Sequence, residues 1–300
     1  MTPQDQFSPA DPTEQHHSDD FPAESIEHPG LTEDMSLEPD HGESTYRGSA
    51  RLTGKRAVIT GGDSGIGRAV AIAFAREGAD VLLTHLPEEE ADARETARMV
   101  TEAGRKAVAV GLDLQDEEQC RALVRRAVEE LGGIDVLVNN AAYQMSLQNS
   151  LEDLTTEQLL RTYRTNIFAM FWLTQEALPH LQPGSSIINT TSIQAFDPSP
   201  GLIDYASTKA AIVNFTKCLS QHVAERGIRV NGVAPGPIWT PLIPATMPAE
   251  KAESFGQDTP MGRAGQPAEL APAYVFFASQ ESSYVTGEVM AVTGGRLLPS

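Results

Sequence analysis

The chain carries a tyrosine, Tyr205, four residues before a lysine, Lys209, and a serine, Ser192, thirteen residues before the tyrosine. On a helix, residues four apart lie on one face, so an ammonium group can sit beside a phenol. A nearby positive charge favours the phenolate, and such a tyrosine can exchange a proton with a substrate hydroxyl or carbonyl near neutral pH. This spacing often occurs by chance, so the rest of the sequence must indicate what the tyrosine would act on.

A glycine-rich turn lies at positions 60–67, where the sequence reads TGGDSGIG. An apolar run at 56–60 predicts a strand directly before it, and a helical pattern at 66–76 follows. Glycines let the backbone approach an anion, and free N–H groups at a helix start point toward it. An ordinary glycine-rich turn is the simpler alternative. The strand before it and the helix after it favour a pyrophosphate site.

From Leu52 onward, short β-branched runs alternate with helical patterns, which is typical of a parallel sheet with crossover helices. Strands are predicted at 56–60, 79–84, 107–112, 134–138, 186–190, 228–233 and 288–292. Helices are predicted at 66–76, 88–103, 117–131, 156–180 and 204–225. Together they predict an α/β fold: a single Rossmann-type, doubly wound domain with a seven-stranded parallel sheet and helices on both faces.

The composition argues against several partners and compartments. The chain has 300 residues, 40% of them hydrophobic, and a formal net charge of −19, which argues against nucleic acid or an anionic membrane as a partner. No apolar run approaches the ~20 residues needed to cross a bilayer. The two cysteines, Cys120 and Cys218, lack metal-ligand spacing, and the N-terminus does not resemble a secretory signal. We therefore expect a cytoplasmic protein without a metal.

The N-terminal region differs from the rest in charge. Residues 1–50 carry twelve acidic residues and one basic residue, Arg47, with few large apolar side chains. Such a segment buries too little surface to offset the entropy lost on ordering. We predict an acidic arm over 1–45 that is largely disordered or loosely docked, followed by a catalytic domain over 46–300.

The glycine turn and the tyrosine–lysine pair resemble those of short-chain dehydrogenases/reductases, and the resemblance extends over about residues 50–300. The run at 139–142, Asn-Asn-Ala-Ala, resembles the family's Asn-Asn-Ala-Gly, with alanine in place of the last glycine. The resemblance implies a catalytic tetrad of Asn166, Ser192, Tyr205 and Lys209, and substrate contacts from Ser192, Gln194 and Tyr205. It implies contacts with a nicotinamide dinucleotide from Gly61, Asp63, Ser64, Gly65, Ile66, Gly67, Thr84, His85, Asp113, Leu114, Asn140, Ala141, Ala142, Tyr205, Lys209, Pro235, Gly236, Ile238 and Thr240.

The end of the second predicted strand bears on the choice between NAD and NADP. An acidic residue there would bind the ribose 2′-hydroxyl of NAD. Here the strand ends at Thr84 and His85, and the first carboxylate is Glu88, beyond a proline. Without a carboxylate to repel a 2′-phosphate, and with two side chains able to donate hydrogen bonds to it, the sequence favours NADP while leaving NAD open.

The resemblance implies hydride transfer between the nicotinamide and a small carbonyl or alcohol substrate. Tyr205 is expected to be the general acid, Lys209 to lower its pKa, and Ser192 to orient the substrate oxygen. Asn166 is expected to hold a water that links Lys209 to solvent. The segment 239–262 is expected to form an apolar lid, and Tyr143 is a further candidate to face the pocket.

Three functions stay open at this point. The glycine turn, the run at 239–242 and the acidic arm are similar to a bacterial subgroup whose members are named general stress proteins, glucose/ribitol-dehydrogenase-like proteins or aldehyde reductases. Reduction of an aldehyde or ketone is the leading interpretation, and sugar or polyol dehydrogenation is the alternative. A non-catalytic nucleotide sensor is less favoured because both the tyrosine and the lysine are present. The family also implies a homotetramer or a homodimer.

Overall fold

The structure is a computed structural model that describes residues 5–147 and 149–297. The strands are β1 (Arg56–Ile59), β2 (Asp80–His85), β3 (Ala107–Gly111), β4 (Val136–Asn139), β5 (Ser186–Thr190), β6 (Arg229–Pro235) and β7 (Val289–Val292). The α-helices are α1 (Gly65–Arg76), α2 (Glu90–Glu102), α3 (Glu117–Leu131), α4 (Thr156–Tyr163), α5 (Ala169–Ala177), α6 (Ile203–Val223), α7 (Leu242–Thr246), α8 (Ala249–Glu253) and α9 (Pro267–Ala278).

The seven strands form one parallel sheet in the order β3-β2-β1-β4-β5-β6-β7. The chain adds strands on one side of β1 and then crosses to the other side at β4. This reversal leaves a crevice beyond the carboxyl ends of β1 and β4, which is where doubly wound sheets bind ligands. The predicted fold class is confirmed.

Apolar side chains alternate between the two faces of the sheet, and each face has its own core. Ile59 and Leu83 pack with α1 and α9 on one face. Val58 and Leu82 point to the opposite face and pack with helices that include α3 and α5. Strands that are covered on both sides are typical of a parallel sheet. Since β1 packs on both faces, the glycine turn that follows it starts from a fixed position.

The predicted boundaries agree with the structure to within about two residues over most of the chain. The short helices α7 and α8 have no sequence prediction, and two longer helical regions also differ. The helix predicted over 156–180 is divided between α4 and α5 by a π-helical turn at Arg164–Phe168. Helix α9 has no sequence prediction, because Pro272 lies inside it and its side chains are apolar around most of its circumference. Pro267 at its first position is a helix-start signal that could have revealed it.

The N-terminal arm packs against the domain more closely than its composition suggests. Phe21 and Met35 are buried in a small cluster with Trp239 of the predicted lid. The rings of Phe21 and Trp239 stack with centroids 3.9 Å apart and an interplanar angle of 16°. Trp239 also donates a hydrogen bond through Nε1 to the Leu37 carbonyl at 2.8 Å. The arm has a low average hydrophobicity, but its few apolar side chains pack together against the segment that contains Trp239 and hold the arm to the domain.

A buried carboxylate fixes the segment that follows the arm, residues 46–51, to the end of α1. Glu77, at the end of α1, is fully buried and accepts hydrogen bonds from the Tyr46 hydroxyl at 2.7 Å and the Arg51 guanidinium at 2.6 Å. The backbone N–H groups of Ser49 and Arg51 donate to its other oxygen. Burial by itself would raise the pKa of Glu77, but these hydrogen bonds outweigh it and lower the pKa to about 2.

We expect Glu77→Gln to lower the free energy of unfolding by about 3 kcal/mol, because the change removes a fully buried carboxylate and leaves the partly buried Arg51 guanidinium without its counterion. The stabilisation by Glu77 should be present above its unfolded pKa of 4.5 and be lost as the pH falls toward about 2. Urea denaturation at several pH values measures both effects.

The control is Glu281→Gln, which removes the outer partner of Arg51 at 3.5 Å. Its carboxylate is mostly exposed, so its loss should cost no more than about 0.5 kcal/mol. Equal destabilisation by the two variants would contradict the assigned role of Glu77.

Candidate active site

A cavity of about 840 Å³ opens beyond the carboxyl ends of the strands, at the reversal between β1 and β4. The structure places most of the residues named from the sequence in its lining. Those residues are Gly61, Asp63, Ser64, Gly65, Ile66, Thr84, His85, Asp113, Leu114, Asn140, Ala141, Ala142, Ser192, Gln194, Tyr205, Lys209, Pro235, Gly236, Ile238 and Thr240. Gly67 and Asn166 lie behind the lining. The cavity volume is in the range expected of a ligand site.

The glycine turn is shaped to receive an anion. Gly61 and Gly65 have positive φ values of +60° and +48°, a conformation that other residues adopt only with strain. A Cβ on Gly67 would lie 1.8 Å from the Gly61 carbonyl oxygen, so this glycine is required for helix α1 to approach β1. Helix α1 has no side-chain cap, and its first N–H groups are therefore available to a diphosphate. The residues present fit the pyrophosphate of a dinucleotide.

Asn140 and Thr60 fix the turn from the neighbouring strand. The Asn140 amide donates to the carbonyls of Thr60 at 3.1 Å and Gly61 at 3.0 Å. In return, the Thr60 hydroxyl accepts from the backbone N–H groups of Asn140 and Ala141. Among the described residues, Ala50 is the only non-glycine residue with a positive φ, so the alanine at 142 fits without backbone strain where the family pattern has glycine.

The tyrosine and the lysine lie on one face of α6, as the spacing predicts. Both are buried, and the Lys209 ammonium nitrogen lies 5.2 Å from the centroid of the Tyr205 ring. Lys209 Nζ donates a hydrogen bond to the Thr190 carbonyl at 2.9 Å, at the end of β5. Ser192 follows on the same loop and lines the cavity, with its hydroxyl near enough to Tyr205 to act against the rise in the pKa of the phenol. The sheet edge and one helical face thus bring the serine, tyrosine and lysine together.

The pKa of Tyr205 differs from the sequence expectation. Burial raises the pKa of Tyr205 to about 12, and the hydrogen bond with Ser192 offsets this only in part. Burial lowers the pKa of Lys209 to about 7, so its positive charge is itself weakened. The expectation that Lys209 makes the phenol acidic is therefore wrong for the protein alone, because desolvation opposes charge on both groups. Tyr205 holds its proton at neutral pH.

Asn166 lies in the π-helical turn between α4 and α5 and is buried. Its side-chain oxygen accepts from the Tyr143 N–H at 2.7 Å, and its amide donates to the Tyr143 carbonyl at 2.9 Å and to the Thr208 hydroxyl at 3.1 Å. These contacts hold the chain after β4 against α6. A small cavity of about 10 Å³ beside Asn166 is close to the volume that one water needs.

Two carboxylates line the cavity near the end of β2: Asp63, which the sequence names as a cofactor contact, and Glu89, which the sequence argument missed. Asp63 is 2% exposed, and its Oδ2 atom has no hydrogen-bond partner among the described residues. Glu89, in the turn before α2, accepts from the Leu86 N–H at 2.8 Å, and both carboxylates line the cavity. Burial raises the pKa of Asp63 to about 6, while burial and then the charge of Asp63 raise the pKa of Glu89 to about 8. The sequence argument for NADP assumed that no carboxylate lies at the end of β2. The structure shows two carboxylates in this part of the cavity, so that assumption is wrong.

The wall formed by the arm and the lid contains further residues that the sequence did not single out. His28 and Pro29 of the arm line the cavity, as do Arg161 of α4 and Lys251 of α8. Ile243, Met247 and Phe255 supply apolar side chains from the segment expected to act as a lid. No sequence signal identifies the arm residues, because their place in the cavity depends on how the arm packs.

Comparisons with known proteins agree with this geometry. A family model described as enoyl-(acyl carrier protein) reductase matches residues 61–296. The chain is 55% identical over 289 residues to the uncharacterized oxidoreductase YghA of Escherichia coli K12, covering 96% of this chain and 98% of the relative. It is 50% identical to the NADPH-dependent aldehyde reductase 1, chloroplastic, of Arabidopsis thaliana, covering 90% of this chain and 96% of that protein.

Two further proteins extend the comparison. The glucose and ribitol dehydrogenase of Daucus carota is 46% identical and covers 93% of this chain and 97% of its own. The crystal structure of a Burkholderia cenocepacia short chain dehydrogenase in complex with NADP superposes with a TM-score of 0.76 at 34% identity, covering 82% of this chain and 98% of that chain. The protein belongs to the short-chain dehydrogenase/reductase family. It is an NAD(P)-dependent oxidoreductase that acts on CH–OH or C=O groups.

We expect Glu89 to make cofactor preference depend on pH. As Glu89 ionises near pH 8, its charge should repel a 2′-phosphate, so the ratio of KM for NADPH to KM for NADH should rise about tenfold between pH 7 and 9. In Glu89→Gln the ratio should stay nearly constant, as measured by initial rates with each cofactor.

The control is Glu88→Gln, which removes an exposed carboxylate one residue away that does not line the cavity. This variant should keep the pH dependence of the parent protein. The assignment fails if Glu89→Gln retains the same slope as the parent.

Proposed function

We propose that this protein reduces a small aldehyde or ketone with NADPH or NADH, and that Tyr205 donates the proton to the carbonyl oxygen. The carrying observation is the burial of Tyr205, which keeps the phenol protonated at neutral pH beside Ser192. A general acid must hold its proton until the transition state, and this state of the tyrosine suits the reducing direction. The bound nicotinamide supplies the hydride.

The other members of the proposed tetrad act by position. Ser192 lines the cavity beside Tyr205 and is placed to donate to the same substrate oxygen and to orient it as negative charge develops. Lys209 is held by the Thr190 carbonyl, with its amine beside the tyrosine ring, where it can return a proton to Tyr205. Asn166 positions Tyr143 and Thr208, and the small cavity next to it supports the proposed water in the proton path.

The proposed cofactor contacts divide along the cavity. The glycine turn and the start of α1 would bind the diphosphate, and Thr84, His85 and Asp113 line the part of the cavity at the ends of β2 and β3. Pro235, Gly236 and the residues after them line the side formed by β6. The similarity to a relative named as an NADPH-dependent aldehyde reductase supports use of NADPH. The carboxylates Asp63, which is buried, and Glu89, which is partly buried, support NADH as an alternative at higher pH.

Oxidation of a sugar or polyol is the second candidate, and the carrot relative favours it. Oxidation needs Tyr205 as a base, and a pKa near 12 makes the phenolate scarce at neutral pH. The two functions are separated by initial rates at neutral pH with NADPH and an aldehyde panel, against NADP or NAD with glucose and ribitol. Faster turnover of the polyols would replace the proposal.

Several exposed apolar side chains support a homo-oligomer. Leu159 and Leu160 of α4 and Phe171 of α5 are each at least a third exposed, and Phe171 contacts Phe215 of α6 edge to face at 4.6 Å. Burying this patch against a second copy would remove apolar surface from water. We propose a homodimer or homotetramer that uses α4, α5 and α6. In the described part of the chain no helix is long and apolar enough to span a membrane. The cytoplasmic location remains our expectation.

We expect Tyr205→Phe to lower kcat by about 10²–10⁴-fold, because the variant keeps the ring but loses the proton donor. Cofactor affinity, measured by NADPH fluorescence titration, should change less than about threefold. Tyr163→Phe is the matched control, since among the described residues its hydroxyl is hydrogen-bonded only to Ser207, at 2.9 Å, and neither residue lines the cavity. Aldehyde reduction by the Tyr205 variant at the parent rate would show that another group is the acid.

We expect the pH profiles of the two directions to diverge. Carbonyl reduction should persist through neutral pH, because Tyr205 is protonated well below its pKa of about 12. Alcohol oxidation, which needs the deprotonated phenol, should rise steadily with pH up to the limit of protein stability. Initial rates in both directions from pH 6 to 10 measure this difference, and parallel profiles would contradict it.

A further inference from the structure

Three side chains from distant parts of the chain form one wall of the cavity. Arg161 comes from α4, Tyr143 follows β4, and His28 belongs to the N-terminal arm. The central carbon of the Arg161 guanidinium lies 4.3 Å from the centroid of the Tyr143 ring. The His28 ring meets the same tyrosine at an angle of 65°, with centroids 5.3 Å apart. The family's catalytic pattern does not require any of the three.

Arg161 is a partly buried cation that lacks an ion-pair partner within the described ranges 5–147 and 149–297. No carboxylate there approaches its guanidinium within 4.0 Å, although Glu157 precedes it by one turn of α4. The nearby buried carboxylate Asp204 accepts instead from Thr162 at 2.7 Å and Gln158 at 3.3 Å. A protein with a net charge of −19 has many acids available, yet this arginine faces the cavity without one.

The geometry of the wall leaves the hydrogen-bonding edge of Arg161 free. Tyr143 contacts the flat face of the guanidinium and not its edge. The N–H groups, which point outward in the plane of the guanidinium, can therefore form a fork of hydrogen bonds to a ligand. His28 adds little positive charge, since burial and then the charge of Arg161 lower its pKa. Lys251 of the lid lines the same cavity, whereas Arg296 is already paired with Asp258. The wall therefore offers a directed site for an anion.

The arm holds this wall in place. Thr32 donates through its backbone N–H and its hydroxyl to the buried carboxylate of Asp92, at 2.9 and 3.0 Å. Gly30, with a φ of +94°, lies so close to the Pro241 carbonyl that an added Cβ would be 2.9 Å from its oxygen. Together with the Phe21–Trp239 stack, these contacts position the turn that carries His28 over the cavity.

We propose that Arg161 is a substrate-recognition residue, and that the carbonyl substrate carries an anionic group, a carboxylate or a phosphate, which the guanidinium binds. The proposal rests on the proposed reductase function and narrows its substrate class. A fork-like contact with a carboxylate or phosphate would compensate the partly buried charge of Arg161 and orient the substrate. Substrates of the same length without the anionic group would lose this contact.

The experiment compares matched pairs of aldehydes in the full-length protein with NADPH. Succinic semialdehyde and butanal have the same chain length and differ in the carboxylate, and glyceraldehyde 3-phosphate and glyceraldehyde differ in the phosphate. We expect kcat/KM of the parent protein to favour the anionic member of at least one pair by tenfold or more. The pair that shows the preference identifies the carboxylate or the phosphate as the recognised group.

Variants at two neighbouring arginines test whether Arg161 causes the selectivity. In Arg161→Gln the ratio of anionic to neutral kcat/KM should fall to near one, mainly through KM, and Arg161→Lys should restore part of it. Arg164→Gln is the control, because Arg164 is exposed and does not line the cavity, so the parent ratio should be kept. A parent protein without preference, or a ratio unchanged in Arg161→Gln, overturns the proposal.

A binding measurement separates this proposal from the proposed function. In the presence of NADP, 4-hydroxybutyrate should raise the Tm of the parent protein more than 1-butanol does, and Arg161→Gln should lose the difference. If no aldehyde is turned over but this difference is present, the reductase function fails and the anion site stands. If neither the rates nor the Tm values distinguish the anionic ligand, the anion site is refuted.

Discussion

The site depends on the burial of an amine at the edge of the sheet. Lys209 extends from α6 under the cavity floor and is held by the Thr190 carbonyl at the end of β5. An ammonium that is removed from water must be compensated or lose its proton, and within the described part of the chain Lys209 Nζ has one hydrogen-bond partner, the Thr190 carbonyl. The contact fixes the face of α6, and with it the direction in which Tyr205 presents its hydroxyl. Ser192 is two residues beyond that carbonyl, so one loop positions all three groups.

Removal from water affects the charged side chains at the two ends of the cavity in different ways. Near β2, Asp63 and Glu89 are partly or fully removed from water, and burial shifts both carboxyl groups toward their neutral forms. On the wall formed with the arm, Arg161 keeps a positive charge against the face of Tyr143. Charge is thus arranged in the cavity by desolvation and stacking as well as by ion pairs. The two ends of the cavity therefore differ in charge: carboxyl groups lie near β2, and a guanidinium lies on the wall formed with the arm.

The arm contributes to the cavity wall because its few apolar residues pack against apolar side chains of the segment 239–262. The Phe21–Trp239 stack and the backbone hydrogen bonds from Phe21 to Glu253 and from Ile26 to Pro244 join the arm to α7 and α8. A segment that is attached in this way has fewer conformations than a free loop of the same length. The arm therefore restricts how far the segment 239–262 can move away from the cavity that it lines.

The sequence by itself determined the fold class, the glycine turn and the tyrosine, lysine and serine, because each depends on local periodicity or on a motif of fixed spacing. Even there, spacing placed Lys209 beside Tyr205 but gave the wrong direction for the pKa of the phenol, since burial is a property of the packed chain. The tertiary structure alone decided that Glu89 and Asp63 meet at the end of β2, although residues 63 and 89 are far apart in the sequence. It also decided that His28 of an acidic, apolar-poor arm reaches the same cavity as Arg161. Local patterns encode elements and motifs, whereas contacts between remote segments arise from the whole core packing at once, and composition averaged over a segment does not report them.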